Sequence, residues 1–433
     1  MHKDCKGIVM KTSRVSIFFA LFIVNLFNTW TLTAQPTIRA LYITYWNHAG
    51  MNEIDWNLPT HIIYSYITND AAPPAIAISP NGPGGDAAAE TEMVKLVHSH
   101  HKKVLINFQD NPTYWYTHDA SAYLRAIMNY IYSRGYDGID MDIEYGITQH
   151  GHQAEYAALM AAIRDSLNAR GGNKEISGYV GIEPPDAAMF KTIVQNGDMS
   201  FVLMQSYDFS GTWLSNTWHV SPLYNGNLRQ ASPRLGDPNP CIDDCVQIWR
   251  ASGFPMSKLC IGATARSNKW YGGNGVCLLN QDGTVSGTCS GGATMNHEGW
   301  QNGSIPNFYA SDNYNQWKPL YSNSRECYDS VCKAAYISVD EEGSAHDVFY
   351  SFDNGYTLAD KWRYCRQNGL GGVFVWDFGG SYMSGYPPSS RWPWVGPWLA
   401  AVLGVASPSR TGSLNETPHK SPPVVEPRRR KKP

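Results

Sequence analysis

Tyr136-Asp137-Gly138-Ile139-Asp140-Met141-Asp142-Ile143-Glu144-Tyr145 is the stretch whose reading decides the fold. Side chains of an extended chain alternate between two faces. Read as a strand, it sends Asp140, Asp142 and Glu144 one way and Ile139, Met141 and Ile143 the other. The apolar face suits packing beneath helices. The acidic face sets its carboxyls at steps of about 7 Å, which costs stability where water is scarce, because neighbouring like charges resist ionising together. A purely structural strand has no use for that. A calcium site would draw on loop oxygens with Asn, Gly and Ser interspersed, whereas every residue between these acids is apolar. Carboxyls with divided duties, one kept protonated beside one kept charged, are what hydrolysis of a glycosidic bond uses.

Outward from this strand, strand and helix patterns alternate from about residue 37 to 400. Strands are expected at Arg39–Trp46, His61–Ile67, Lys103–Phe108, the acidic stretch, Ile176–Ile182, Phe201–Tyr207, Lys258–Thr264 and Gly372–Trp376. Helices are expected near Glu90–His101, Ala122–Ser133, His152–Ala169 and Tyr356–Gln367. Eight strands alternating with helices predict a parallel α/β barrel, the (β/α)8 or TIM fold. Residues 266–346 interrupt the rhythm with Gly, Asn and Cys and read as an insertion between the seventh and eighth barrel strands. Asn302-Gly303-Ser304 is a glycosylation sequon if the source is eukaryotic.

The chain has 433 residues, 43% hydrophobic and 13% aromatic, enough for one large domain with a full core. Residues 1–34 read as a secretory leader: Lys3, Lys6, Lys11 and Arg14 precede the apolar run Val15–Val24. Residues 406–433, Pro- and Ser-rich and ending Arg428-Arg429-Arg430-Lys431-Lys432, read as a disordered basic tail. That leaves 35–405 as the folded body. The leader carries a formal +3 and residues 407–433 carry +5, so of the net −3 the remainder holds −11. An acidic body argues against nucleic acid as a partner. Eight cysteines follow the leader, an even number that in an exported protein points to disulfides, with Cys277–Cys289 and Cys327–Cys332 the expected local pairs.

Barrel enzymes carry their chemistry at the C-terminal ends of the strands. Those ends hold Tyr45 and Trp46, then Asp142 and Glu144, then Gln205, Tyr207 and Asp208, and finally Trp376. Each has an ordinary explanation alone, a core aromatic or a cap; their joint placement does not.

Asp137 to Glu144 resembles the Asp-x-x-Asp-x-Asp-x-Glu signature of family 18 glycoside hydrolases, the chitinase family. Tyr207-Asp208-Phe209-Ser210-Gly211-Thr212-Trp213 with Ser221-Pro222-Leu223-Tyr224 is similar to the sixth-strand region of animal-type chitinases. Ser351-Phe352-Asp353, Lys361 and Gly369–Trp376 resemble the approach to the eighth strand. The resemblance covers roughly residues 37 to 400 and implies a (β/α)8 barrel. It also implies retaining, substrate-assisted hydrolysis without metal or cofactor. Glu144 would be general acid and then base, and Asp142 would orient the substrate's acetamido group. Asp140 would share a proton with Asp142, Tyr207 would hydrogen-bond the acetamido oxygen, and Trp376 would floor the reacting sugar's subsite. Trp213, Tyr45, Trp46, Gln205 and Asp208 would line the site. Asp137 and Gly138 read as structural, turning the chain into the strand. The implied partner is chitin or another N-acetylglucosamine-containing glycan, met by a secreted monomer.

The pattern is departed from in three places. The acid sits in Ile143-Glu144-Tyr145-Gly146 where these chitinases have Trp-Glu-Tyr-Pro. The third strand ends Asn107-Phe108-Gln109-Asp110 in place of Ser-x-Gly-Gly, and Gln205 stands where Met is usual. These changes keep the acid and alter the rim. They leave open an endo-β-N-acetylglucosaminidase acting on N-glycan chitobiose cores, and, in a different class, a non-catalytic chitin-binding lectin on the same barrel.

Overall fold

The computed structural model describes residues 35–69, 78–80, 86–110, 116, 118–143, 147–210, 218–225, 240–273, 296–298, 325–339, 347–382 and 387–406. The first barrel strands are β1 (Ile38–Thr44) and β2 (His61–Asn69), with β3 (Ile78–Pro80) added antiparallel to the edge of β2. There follow β4 (Lys103–Gln109), β5 (Gly138–Asp142), β6 (Glu175–Val180), β7 (Phe201–Met204) and β8 (Leu259–Thr264). A second, antiparallel sheet then forms from β9 (Ser267–Gly273), β10 (Asn296–Glu298), β11 (Arg325–Asp329), β12 (Ala334–Val339) and β13 (Asp347–Phe352). The barrel resumes with β14 (Gly372–Trp376), which pairs with both β8 and β1; pairing of β1 with β2 closes eight parallel strands into a ring.

The interruption expected at 266–346 therefore holds strands that run on to Phe352. Their spacing was hidden by the long Gly- and Asn-rich connections between them. Helices beyond those expected occupy Pro184–Gln195, Ile242–Ala251 and Val395–Leu403. The first begins on two prolines, which suit a helix's first turn but read in sequence as breakers.

Helix limits follow local chemistry. The helix Ala120–Arg134 starts where Asp119 accepts a hydrogen bond from the Ala122 N–H at 2.7 Å and stops at Gly135, whose φ of +79° glycine adopts without strain. Its Tyr123, Ile127, Met128 and Ile131 share one buried face against the barrel. The helix Gly355–Asn368 opens on a reciprocal cap between Asn354 and Thr357.

The alternation read from the acidic stretch separates two cores. Ile139, Met141 and Ile143 join the layer between barrel and helices, with Ile106, Ile127 and Tyr156. Each such fully buried side chain is worth about 1.5–3 kcal/mol. Inside the ring a second cluster is built from Tyr42, Leu105, Tyr179, Leu203, Tyr207 and Phe374. Gly138 lies within β5 and not at a turn. A Cβ there would stand 2.0 Å from the Glu175 carbonyl oxygen, so the close pass of β6 requires glycine. Asp137 is structural, its carboxylate accepting from the Val104 N–H at 2.9 Å.

The expected disulfide Cys327–Cys332 is not made: Cys332, like Cys241, Cys245, Cys260 and Cys365, is a buried thiol. Burial keeps thiols neutral and pushes Cys260 and Cys365 up, and Cys365 donates to the Gly372 carbonyl at 3.2 Å. Cys277 and Cys289 lie outside the described residues, as do residues 1–34 and 407–433 and Asn302.

Two ionic groups brace the ring. At the N-terminal end of the strands, Glu175 of β6 takes His61 at 2.8 Å and Lys103. Burial works to raise the Glu175 carboxyl, but these two partners outweigh it and hold it at about 2. A depressed acid stabilises the fold above its unfolded value and loses that contribution as pH falls through the folded one. Glu175→Gln is therefore expected to lower stability at pH 7 by up to about 3 kcal/mol, with the gap closing between pH 4.5 and about 2. Urea denaturation at pH 7, 4 and 2.5 checks this; an unchanging gap would refute it.

The second group is wholly buried. Lys361 donates to both oxygens of Asp353 and to the Ser221 hydroxyl, each at 2.7 Å. Asp353 also accepts from Thr357 Oγ1 at 2.7 Å and the Thr264 N–H at 3.0 Å. One ion pair thus ties the end of β8, the end of the inserted sheet and the helix before β14.

Candidate active site

Register places the site. β4 and β5 pair Asn107 with Asp140 and Gln109 with Asp142, and β5 and β6 pair Asp140 with Ser177. Residues at one level of a parallel sheet point to the same side, so these polar groups meet inside the barrel near its C-terminal rim. Asp140 is fully buried and Asp142 nearly so.

Asp140 Oδ2 accepts from Tyr42 Oη at 2.6 Å and from Asn107 Nδ2 at 2.8 Å; its Oδ1 accepts from Ser177 Oγ at 2.6 Å. Burial pushes its carboxyl up, against the pull of those donors. Asp142 Oδ2 accepts from Gln109 Nε2 at 2.8 Å and, more weakly, from Asn107 Nδ2 at 3.2 Å. The Asn107 amide is aimed by Ser65 Oγ, which donates to its carbonyl at 3.1 Å. Asn107 thus bridges the two carboxylates.

Above them sit aromatic rings. Tyr207 is buried, its hydroxyl against that of Tyr179. The Trp376 indole meets Tyr42 edge-on at 5.1 Å between centroids, and the Arg266 guanidinium lies 5.9 Å from its ring. Asp377 follows Trp376 and accepts from Thr44 Oγ1, Asn47 Nδ2 and the Gly380 N–H; burial pushes it up. β1 ends at Thr44, so Tyr45 and Trp46 fall in the turn beyond it. There they pack edge to face at 4.7 Å, with Trp46 47% exposed. β7 ends at Met204, short of the expected Tyr207, yet Gln205 stays buried. Asp208 adopts φ +57°, a left-handed conformation that Asp tolerates better than most residues. A cavity of about 180 Å³ opens beside these ends, lined by Ile143, Tyr179, Glu183, Asp186, Phe190 and Gln205. Glu144 and Trp213 lie outside the described residues.

Sequence reasoning noticed Asn107 and Gln109 only as a changed rim motif and gave no site role to them or to Tyr42, Ser177, Tyr179 and Asp377; Tyr42, Asn107, Gln109, Ser177 and Tyr179 are the five on barrel strands. These five share the inward parity of their strands, so the signal was present once neighbouring strands were known. A buried group, His219, Asp329 and Cys332, has the residue types of a metal site. Its His219 and Asp329 side chains are engaged with each other and with neighbouring groups. His219 reaches Asp329 Oδ2 and Ser351 Oγ, each at 3.2 Å, and Asp329 Oδ1 accepts the Val331 and Cys332 N–H groups at 2.9 Å. It fastens the loop after β7 to the inserted sheet.

The sequence profile of glycosyl hydrolases family 18 matches residues 38–380. The chain belongs to that family. A probable endochitinase of Caenorhabditis elegans is 24% identical over 264 residues, 59% of this chain and 38% of that protein. Endochitinase 1 of Metarhizium robertsii is 24% identical over 376 residues, 78% of this chain and 80% of that one. The fold matches catalytic domain 2 of the Ostrinia furnacalis Group II chitinase, solved with a penta-N-acetyl chitooligosaccharide, at a TM-score of 0.62 and 18% identity over 86% of this chain and 98% of that one. As in the family's pattern, Asp140 and Asp142 of this family 18 chain lie on the fourth barrel strand.

Proposed function

We propose that this chain hydrolyses β-1,4 linkages between N-acetylglucosamine units of chitin or chitooligosaccharides, with retention and with the substrate's acetamido group as nucleophile. The observation that carries this reading is the buried Asp140–Asp142 pair at the rim of the barrel, two residues before Glu144, with Trp376 packed on the Tyr42 ring whose hydroxyl donates to Asp140. The family and the chitinases among its relatives support the substrate class.

Glu144 gives its proton to the glycosidic oxygen as the bond to the anomeric carbon breaks. The acetamido carbonyl oxygen attacks that carbon and forms an oxazolinium ion. Asp142 holds the acetamido N–H and balances the positive charge, while Tyr207 donates to the acetamido oxygen. Glu144, now a carboxylate, takes a proton from the water that opens the ring. Attack from within the sugar and then by water inverts twice, so the β configuration is retained. Trp376 offers a flat apolar face to the pyranose. Secretion through residues 1–34 belongs to the same proposal.

The test is hydrolysis of chitotetraose followed by proton NMR: the first product is expected as the β anomer. Release of high-mannose glycans from a glycoprotein with no cleavage of chitooligosaccharides would replace this reading with the endo-β-N-acetylglucosaminidase. That second reading draws on Gln205, buried beside the cavity where chitinases usually place Met. Oligosaccharide binding with no turnover of either substrate would leave the lectin.

A further inference from the structure

The third barrel strand ends in two amides where the family's usual motif puts Ser-x-Gly-Gly, and both amides reach the dyad. We infer that Gln109 is a positioning residue which, with Asn107, clamps the Asp142 carboxylate and keeps it a hydrogen-bond acceptor; its effect on turnover rests on the function proposed above. The geometry is specific. Register sets Gln109 level with Asp142, its Nε2 donates to Asp142 Oδ2 at 2.8 Å, and Asn107 Nδ2 reaches the same oxygen at 3.2 Å. Asn107 spends its nearer contact, 2.8 Å, on Asp140, so Gln109 is the stronger of the two holds on Asp142. A side-chain amide nitrogen donates and never accepts. Oδ2 therefore accepts from both amides, a pair of contacts that favours the ionised form of Asp142. A glycine at position 109 could make no such bond.

The surroundings make the effect readable. Tyr42 on β1, which donates to Asp140, and Tyr156 from the helix Gln153–Arg170 lie in the field of both Asp140 and Asp142. Burial and the two carboxylates push the Tyr42 and Tyr156 phenols up, so these stay neutral while the acids titrate. Among the described groups, Asp140, bridged to Asp142 by the Asn107 amide, is then the carboxyl that titrates beside it over the acidic range.

The experiment follows Asp142 directly, by carboxyl carbon-13 NMR titration of protein labelled at aspartate, with Asp142→Asn giving the assignment. In Gln109→Met, which keeps length and loses the donor, the Asp142 midpoint is expected to rise by roughly one to two pH units, the worth of a hydrogen bond to a charged acceptor. The acid limb of the kcat/KM profile on chitotetraose should rise with it. We expect kcat to fall about tenfold while KM and the melting temperature hold. Gln109→Glu, which puts an acid where the donor was, should move the midpoint further the same way and serves as well should Gln109→Met not fold. Coincident titration curves for wild type and variants would overturn the inference, as would a loss confined to KM. A shifted midpoint in a protein that cleaves no chitooligosaccharide would uphold the clamp and count against the proposed substrate alone.

Discussion

Glu144→Gln is expected to lower kcat/KM on chitotetraose by about a thousandfold or more, with oligosaccharide binding kept. The proposed scheme uses this one residue twice, as acid toward the leaving oxygen and as base toward water. The amide can do neither, and each role of this kind is worth about 10²- to 10⁴-fold. The loss should depend on the leaving group. A fluorogenic aryl chitobioside departs as a stabilised phenolate and needs less protonation, so its first step should suffer less than that of the natural oligosaccharide. Rates on both substrates, with calorimetric titration of chitotetraose into the variant, give the result. A fall of less than tenfold on the natural oligosaccharide would remove Glu144 from the acid's role. Lost binding would place the defect in the fold instead.

The largest expected effect on stability is at Lys361. Lys361→Met keeps the length of the buried stem and removes its charge. Asp353 is then left with the Thr357 hydroxyl and the Thr264 N–H but no cation, in a place from which water is excluded. Breaking a buried pair from one side costs about 3–5 kcal/mol. Most of that is the penalty of an uncompensated carboxylate, so the double variant Lys361→Met, Asp353→Asn should regain a large part of it: the amide oxygen can still accept from Thr264 or Thr357. Chemical denaturation of wild type, single and double variants separates these terms. A single variant within 1 kcal/mol of wild type, or a double variant no better than the single, would show that the pair does not carry the junction of β8, the inserted sheet and the helix Gly355–Asn368.

The alternation in residues 136–145 was sufficient to give a strand buried under helices, because period-two patterning with one apolar face reports that whatever its neighbours are, and the eightfold alternation of strand and helix patterns gave the barrel. The same parity gave Asp140 and Asp142 as a pair, and the Gly-Val-Phe-Val-Trp run gave Trp376 at the end of the last strand. These features are local: each is written within a few residues of itself. What surrounds the pair is not. Tyr42, Asn107, Gln109, Ser177 and Tyr179 lie on three other strands, and whether each is level with Asp140 or with Asp142 depends on the register between strands, which a single sequence does not contain. Register set the Asn107 amide against both carboxylates. It also turned the Gly138 turn into a close pass against β6. Cys241, Cys245, Cys260, Cys332 and Cys365, part of the even count that had pointed to disulfides, are buried thiols, and burial is likewise a property of the whole fold. Sequence by itself determined which strand carries the acids and which way they face. Tertiary structure alone decided their partners, because hydrogen bonds reach about 3 Å and only strand pairing brings residues so far apart in the chain within that distance.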